Sequence, residues 1–193
     1  MIKLAIFDMD GTVFESYLNW PEIKQTMDIK TGNILKEIYT GNSVDTRKLD
    51  ILEKYEEENS LRTKPIRGIG EFLSFLTDVQ IPKVLITNNN QRNTDYLLKK
   101  FNLAFDLIIT REMNLWKPEP HGLIYAMELF HCQTHETISI GDSNYDVWAS
   151  REARINNIYI IQTPNKIIDT DDDVHFFNDY LELKQIIKGK FCA

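Results

Sequence analysis

Residues 3–12 read KLAIFDMDGT, and this stretch decides how the rest of the chain is interpreted. Residues 3–7 form a short, mostly apolar run of the kind that makes a buried parallel strand. Asp8 and Asp10 follow directly, and residues two apart in an extended chain point the same way. The motif therefore predicts two neighbouring carboxylates at the carboxyl end of a strand, which is where open α/β sheets bind ligands.

Two carboxylates this close repel each other unless a cation binds beside them or one of them holds a proton. Asp8 and Asp10 thus indicate a metal site combined with acid and base chemistry. An Asp-Gly pair is also an ordinary turn signal, so Asp10 and Gly11 alone leave a purely structural role open.

The rest of the chain repeats the pattern of a short apolar run followed by a helical pattern. Further runs rich in Ile, Val or Leu lie at residues 83–87, 106–110, 137–140 and 157–162. Apolar residues recur every three to four positions, as in helices that cover a sheet, at residues 69–79, 94–101, 121–130 and 144–153. This alternation predicts a doubly wound, Rossmann-like α/β fold with a mostly parallel sheet.

Residues 16–64 depart from this alternation. They carry helical patterns at residues 21–28, 32–39 and 45–59, and we expect no strand among them. We interpret this segment as a small inserted α-helical cap. Residues 1–15 and 65–193 then form the α/β core.

Three more motifs end or follow predicted strands at the same edge of the sheet. Thr87 and Asn88 offer a hydroxyl and backbone N–H groups suited to phosphate oxygens, although a strand-terminal Thr is often structural. Lys117 precedes a proline turn and a helix, where it is either a surface lysine or a cation for a phosphoryl group. Asp142 and Asp146 follow another strand, four residues apart on one predicted helical face. They are either helix caps or part of an all-oxygen site for a hard cation, and we favour the cation.

Composition excludes several classes of protein. The formal net charge of −7 and the pI of about 5.1 give no basic surface for nucleic acid or an anionic membrane. Only seven residues precede Asp8, too few for the apolar region of a signal peptide, and no apolar run spans a bilayer. We therefore expect a cytoplasmic protein, in which Cys132 and Cys192 are reduced thiols.

In order along the chain, the motifs at Asp8–Thr12, Thr87, Lys117–Pro118 and Gly141–Asp146 resemble those of the haloacid dehalogenase superfamily. The closest resemblance is to its phosphoglycolate phosphatase-like branch, in which a helical cap is inserted after the first strand. The resemblance covers nearly the whole chain.

The resemblance implies a role for each motif residue. Asp8 would be the nucleophile and a ligand of Mg²⁺. Asp10 would be the general acid and base, with its backbone carbonyl on the metal. Asp142 would be a further metal ligand, and Asp146 would act on the metal directly or through water. Phosphate binding would fall to Thr87, Asn88 and Lys117.

These roles imply a magnesium-dependent phosphatase that hydrolyses a small phosphorylated metabolite through an aspartyl-phosphate. A phosphomutase of the beta-phosphoglucomutase type is the first alternative, although the four histidines all lie outside the predicted cap. The second is an inactive scaffold that binds a phosphorylated ligand, which would be expected to have lost one of the motif side chains. The sequence defines neither the substrate nor the oligomeric state.

Overall fold

A computed structural model of the chain describes residues 1–163 and 166–191. The strands, labelled in chain order, are β1 (Leu4–Phe7), β2 (Tyr39–Thr40), β3 (Ser43–Val44), β4 (Lys83–Ile86), β5 (Leu107–Ile109), β6 (Thr137–Gly141), β7 (Ile158–Ile161) and β8 (Val174–Phe177). The α-helices are α1 (Trp20–Thr26), α2 (Ile34–Ile38), α3 (Thr46–Arg62), α4 (Ile69–Asp78), α5 (Gln91–Phe101), α6 (His121–Leu129), α7 (Asn144–Glu152) and α8 (Tyr180–Phe191).

Six of these strands form one sheet in the order β5-β4-β1-β6-β7-β8, and every pair in it is parallel. The chain passes from β1 to β4 and β5 on one side, and then crosses to β6, β7 and β8 on the other. The strand order therefore reverses at β1. In open α/β sheets such a switch point leaves a crevice at the carboxyl ends of the strands, and Asp8 lies there.

Both faces of the sheet are covered by helices, which is why its central strands are buried and mostly apolar. Residues of β1, β4, β6 and β7 are all buried. Ala5 and Phe7 pack on the side of α4, α5 and α8. Leu4 and Ile6 pack on the opposite side, with α6 and α7. The predicted doubly wound α/β fold is confirmed.

The predicted strands and helices of the sheet layers are all present, and none of their ends differs by more than three residues. The sequence analysis missed β8 and α8. It was wrong to expect no strand among residues 16–64, because β2 and β3 form a short antiparallel hairpin there. Each of these strands is two residues long, too short for an alternating apolar pattern to be recognised.

The chain divides into two compact units. One contains Met1–Glu15 together with the chain from Lys64 onward, and includes the whole six-stranded sheet. The other is Ser16–Thr63, with α1, α2, α3 and the hairpin. Within this helical unit, the Tyr55 hydroxyl of α3 donates to the Glu22 carboxylate of α1 at 3.0 Å. Ile23, Met27 and Leu52 are buried.

Two smaller expectations concern membranes and thiols. Among the described helices, none combines the length and the apolar character needed to cross a bilayer. Cys132 is a half-buried free thiol. Cys192 lies outside the described residues.

Candidate active site

The first group of the site is an ion-paired lysine beside the carboxylate that follows β1. Lys117 Nζ donates to Asp8 Oδ1 at 2.5 Å and to Asp146 Oδ1 at 2.7 Å. The Lys117 side chain is only 7% exposed. Burial lowers the pKa of Lys117, but attraction from Asp146 and Asp8 outweighs it, so the net shift is upward. The buried ammonium is thus held charged between the carboxylate that follows β1 and a carboxylate in the first turn of α7.

Three carboxylates converge here, from Asp8, Asp142 and Asp146, with one oxygen of each within 4.8 Å of the others. Burial raises the pKa of Asp8 to about 8, against attraction from Lys117 and with added repulsion from the other two carboxylates. Burial also raises the pKa of Asp142 to about 6. If all three carboxylates were ionised, their negative charge would exceed the positive charge of Lys117, and their oxygen donors suit a hard divalent cation.

Asp146 caps α7 with one carboxylate oxygen and contacts Lys117 with the other. Its Oδ2 accepts from Asp142 N at 3.2 Å, from Ser143 N at 3.1 Å and from Ser143 Oγ at 2.7 Å, which completes a capping box at the start of α7. Its Oδ1 meets Lys117. Burial raises the pKa of Asp146, but Lys117 and these hydrogen bonds lower it below the ordinary value.

The expectation that Asp142 and Asp146 share a helical face was wrong. Helix α7 begins at Asn144, so Asp142 lies in the preceding turn rather than in the helix. Its carboxylate nevertheless belongs to the cluster, because the capping box folds the turn back onto Asp146.

The Asn88 side chain, which the predicted role of its backbone N–H does not need, bonds the Lys117 backbone. Asn88 Nδ2 donates to the Lys117 carbonyl at 2.9 Å, and Lys117 N donates to Asn88 Oδ1 at 3.0 Å. This two-bond exchange fixes the Lys117 backbone. Thr87 Oγ1 accepts from Asn89 N at 3.0 Å, which orders the turn after β4. Phosphate binding by Thr87 and by the Asn88 backbone stays a prediction.

The turn after β4 also provides a hydrogen bond to Asp10. Asn89 Nδ2 donates to Asp10 Oδ2 at 2.9 Å. Burial raises the pKa of Asp10, and the Asn89 hydrogen bond is the largest of the effects that oppose this rise. An acid that also serves as a base needs a pKa nearer to neutrality than that of an ordinary Asp, and burial shifts Asp10 in that direction.

Three residues near the site were missed by the sequence analysis. Lys166 Nζ contacts Asp142 Oδ2 and lies 3.4 Å from the Asp142 carbonyl oxygen. Arg111, with 1% exposure, lies after β5, and its charge lowers the pKa of Asp10. Asn89 belongs to a run of three asparagines that no simple pattern separates.

Gly11 allows the turn after β1 to approach Asp142. Its φ is +90°, and a Cβ there would overlap the Asp142 carboxylate. We expect Gly11→Ala to lower the free energy of unfolding by about 1–3 kcal/mol, from backbone strain and from displacement of Asp142. Gly32→Ala is the matched control, since its φ is +95° but nothing lies within 4 Å of its added Cβ. Equal losses in urea titrations of the two variants would mean that the overlap is unimportant.

A doubly wound parallel sheet with a lysine-bridged carboxylate cluster at its switch point defines a class of α/β enzymes that act on ligands at the carboxyl ends of their strands. Residues 13–160, most of the chain, match the family model described as haloacid dehalogenase-like hydrolase. The chain belongs to this family. The matched residues begin just after the Asp8–Thr12 motif and include those at Thr87, Lys117 and Gly141–Asp146.

Named relatives support the same placement. The chain is 22% identical over 224 residues to N-acetylmuramic acid 6-phosphate phosphatase of Pseudomonas putida, covering 100% of this chain and 99% of that protein. It is 26% identical over 181 residues to phosphoglycolate phosphatase of Thiobacillus denitrificans, covering 79% and 80%. A match at 28% identity to a Caldanaerobacter subterraneus protein named as a pyrophosphatase covers 72% of this chain but only 64% of that protein. The chain is an enzyme of the hydrolase family. Two of these relatives are named as phosphatases and the third as a pyrophosphatase.

Solved structures agree on the fold. CbbY from Rhodobacter sphaeroides, in complex with phosphate, superposes with a TM-score of 0.71 at 17% identity, covering 95% of this chain and 96% of that one. A Thermotoga maritima protein described as a beta-phosphoglucomutase superposes with a TM-score of 0.68 at 19% identity, covering 97% and 99%. At these identities the likeness concerns the fold alone.

Proposed function

We propose that this enzyme is a magnesium-dependent phosphatase that transfers the phosphoryl group of a small phosphate monoester to Asp8 and then hydrolyses the aspartyl-phosphate. The observation that carries the proposal is the 2.5 Å contact between the buried Lys117 ammonium and Asp8 Oδ1. A carboxylate that attacks a dianionic phosphate must first have its own charge offset, and this lysine supplies a positive charge at that oxygen.

In the first step, a carboxylate oxygen of Asp8 forms a bond to phosphorus and the ester P–O bond breaks. Asp10 gives its proton to the leaving alkoxide. In the second step, Asp10 takes a proton from a water molecule whose oxygen attacks the same phosphorus. The bond between Asp8 and phosphorus breaks, which releases inorganic phosphate and restores both aspartates. General acid and base catalysis of this kind contributes roughly 10²- to 10⁴-fold.

The metal would be held by the carboxylates of Asp8 and Asp142 and by the backbone carbonyl of Asp10. When bound, Mg²⁺ supplies positive charge that offsets the charge of the phosphoryl oxygens. Asp146 acts through water in this proposal, because both of its oxygens already have partners in Lys117, Ser143 and the Asp142 N–H. Thr87, the backbone N–H of Asn88 and the Lys117 ammonium would hold the phosphoryl oxygens.

The helical unit Ser16–Thr63 is proposed as the cap that selects the substrate, since it is the part of the chain outside the sheet layers. The substrate is proposed to be a small phosphorylated metabolite of the cytoplasm. The phosphatase names of relatives that align over most of this chain support this choice.

A hydrolysis screen tests the proposed function. Purified protein with Mg²⁺ is given phosphoglycolate, sugar phosphates, pyridoxal phosphate and nucleoside monophosphates, and released phosphate is measured. We expect phosphate release from at least one ester. Isomerisation of a sugar phosphate without phosphate release would indicate a phosphomutase, and no turnover by folded protein would indicate an inactive scaffold.

Asp142→Asn is expected to weaken Mg²⁺ binding about tenfold or more without unfolding the protein, because one charged oxygen donor becomes a neutral one. The measurement is calorimetric titration with Mg²⁺, combined with the Mg²⁺ dependence of activity. Activity should return at high Mg²⁺. A binding curve identical to that of the wild type would remove Asp142 from the metal site.

Lys166→Met is expected to have the opposite effect. The Lys166 ammonium contacts the Asp142 carboxylate, so it competes there with a bound cation. The Lys166 side chain is 38% exposed, and ion pairs of this kind are worth about 0.2–1 kcal/mol. Mg²⁺ should therefore bind up to about fivefold more tightly in calorimetry.

Lys99→Met is the matched control for charge. It makes the same change in the last turn of α5, which runs away from the edge of the sheet that carries the site. If Lys166→Met and Lys99→Met shift Mg²⁺ affinity equally, net charge rather than competition at Asp142 explains the effect.

A further inference from the structure

Asn89 contacts the carboxylate of Asp10, the residue to which the proposed function gives both proton transfers. Its side-chain Nδ2 donates to Asp10 Oδ2 at 2.9 Å, and Asn89 is only 3% exposed. We propose that Asn89 is a positioning residue that fixes the plane of the Asp10 carboxylate for proton transfer. This inference rests on the proposed function, in which Asp10 is first the acid and then the base.

The contacts of the Asn89 side-chain oxygen determine which way its amide points. Its Oδ1 accepts from Asn90 N at 2.8 Å and lies 3.5 Å from Asn93 Nδ2. A backbone N–H can only donate, so the atom facing it must be the amide oxygen. The NH₂ group then has to face Asp10. A flipped amide would place two donors against each other at Asn90 and two acceptors against each other at Asp10.

The Asn89 backbone is fixed as well. Asn89 N donates to Thr87 Oγ1 at 3.0 Å, and the Asn89 carbonyl accepts from Arg111 N at 3.0 Å. Trp116 Nε1 in turn donates to the Arg111 carbonyl at 2.6 Å. The Asn89 backbone is therefore hydrogen-bonded to residues at the ends of both β4 and β5, which fixes the position of the donor to Asp10.

A fixed carboxylate plane matters because Asp10 has to serve two proton transfers on the same face of the phosphorus. A carboxylate that rotates about its last side-chain bond presents its oxygens at varying distances, and a misplacement of about 1 Å can cost about 10²-fold in rate. A neutral amide holds the orientation without the full charge of an ammonium or guanidinium group. It can do so whether or not Asp10 is carrying its proton on the other oxygen.

A purely structural role would instead make Asn89 a support for the turn that carries Thr87 and Asn88. The two roles differ in their dependence on the leaving group. Loss of the turn would harm phosphate binding and so reduce turnover of all esters alike. Loss of Asp10 positioning would mainly harm esters whose leaving group needs a proton.

The test compares kcat/KM on an alkyl phosphate and on nitrophenyl phosphate in wild type, Asn89→Ala and Asn89→Leu. Asn89→Leu keeps the branched shape of the side chain but has no donor and adds no charge, so it tests the loss of the hydrogen bond if Asn89→Ala unfolds. We expect a loss of about 10- to 100-fold on the alkyl ester and a several-fold smaller loss on the nitrophenyl ester. Ser150→Ala, which removes a buried side-chain hydrogen bond to Ser139, should show no such difference between esters.

A double-mutant cycle gives the second readout. If Asn89 acts through Asp10, adding Asn89→Ala to Asp10→Asn should reduce turnover of the alkyl ester by less than about twofold. Equal losses on both esters in Asn89→Ala would overturn the positioning role, and so would losses that multiply in the double mutant. The proposed function would still stand if Asp10→Asn lost activity mainly on the alkyl ester. If Asp10→Asn itself fails to distinguish the two esters, the acid role proposed for Asp10 fails, and the positioning role with it.

Discussion

Asp8→Asn is expected to reduce turnover of every phosphate ester by at least about 10⁴-fold, because an amide cannot form the covalent intermediate. Asparagine keeps the shape of the side chain, so the loss should appear in kcat on alkyl and aryl esters alike. Steady-state assays at saturating Mg²⁺ provide the measurement. Residual turnover of a few per cent or more, after exclusion of contaminating phosphatase, would mean that another group attacks phosphorus.

The Asp8→Asn protein should remain folded. Burial and two neighbouring carboxylates raise the pKa of Asp8 to about 8, above the 3.8 of an unfolded chain. A carboxyl whose pKa is raised on folding destabilises the native state as pH rises from the unfolded value towards the folded one. The metal-free variant should therefore unfold at the same or a higher temperature than the wild type at pH 8. Asp78→Asn, at an exposed position in α4, is the control, with unchanged activity.

Asp10→Asn is expected to lose activity selectively. An alkyl phosphate leaves as a strongly basic alkoxide and needs a proton, whereas nitrophenyl phosphate leaves as a stable phenolate and needs it far less. We expect about 10²- to 10⁴-fold loss in formation of the intermediate from the alkyl ester, and a much smaller loss from the aryl ester. Single-turnover measurements on both esters separate this step from later ones.

With nitrophenyl phosphate, the same variant should also show a burst. Phosphorylation of Asp8 would proceed, but the water that hydrolyses the aspartyl-phosphate would lack its base. Rapid mixing should show release of close to one phenolate per enzyme, followed by a stall. Equal losses on the two esters without a burst would contradict the acid and base role of Asp10.

The sheet was predictable because buried parallel strands leave a clear apolar signature. Strand β8 lacks it, since it lies at the edge of the sheet and three of its four residues, Val174, His175 and Phe176, are only partly buried or exposed. An edge strand covered on fewer sides does not need a continuous apolar run. The acidic residues that precede β8, at positions 169 and 171–173, are typical of a solvated loop and add no strand pattern.

The convergence of Asp8, Lys117 and Asp142 was predictable from topology, because the carboxyl ends of parallel strands meet at one edge of a sheet. The assignment of neighbouring polar side chains was not. Asn88 binds the Lys117 backbone, Asn89 reaches Asp10, and the Asn90 side chain caps α5. Three identical residues in a row take three roles, which are set by tertiary contacts that local pattern does not encode.

The contact between Lys166 and the carboxylate cluster could not be predicted from the sequence either. It contacts Asp142 from 24 positions further along the chain, in the segment between β7 and β8. A lysine in a polar connection is ordinarily solvated, and nothing in its sequence surroundings distinguishes it. Only the fold brings its ammonium to the carboxylate cluster.

Trapping of the covalent intermediate tests the central claim most directly. Enzyme is mixed rapidly with nitrophenyl phosphate, quenched in acid and treated with borohydride, which reduces an acyl phosphate to an alcohol but leaves free carboxylates unchanged. Peptide mass spectrometry should then find homoserine in place of aspartate at position 8, in wild type and in greater amount in Asp10→Asn. Homoserine at another carboxylate, or none at position 8 in either protein during turnover, would contradict an aspartyl-phosphate on Asp8.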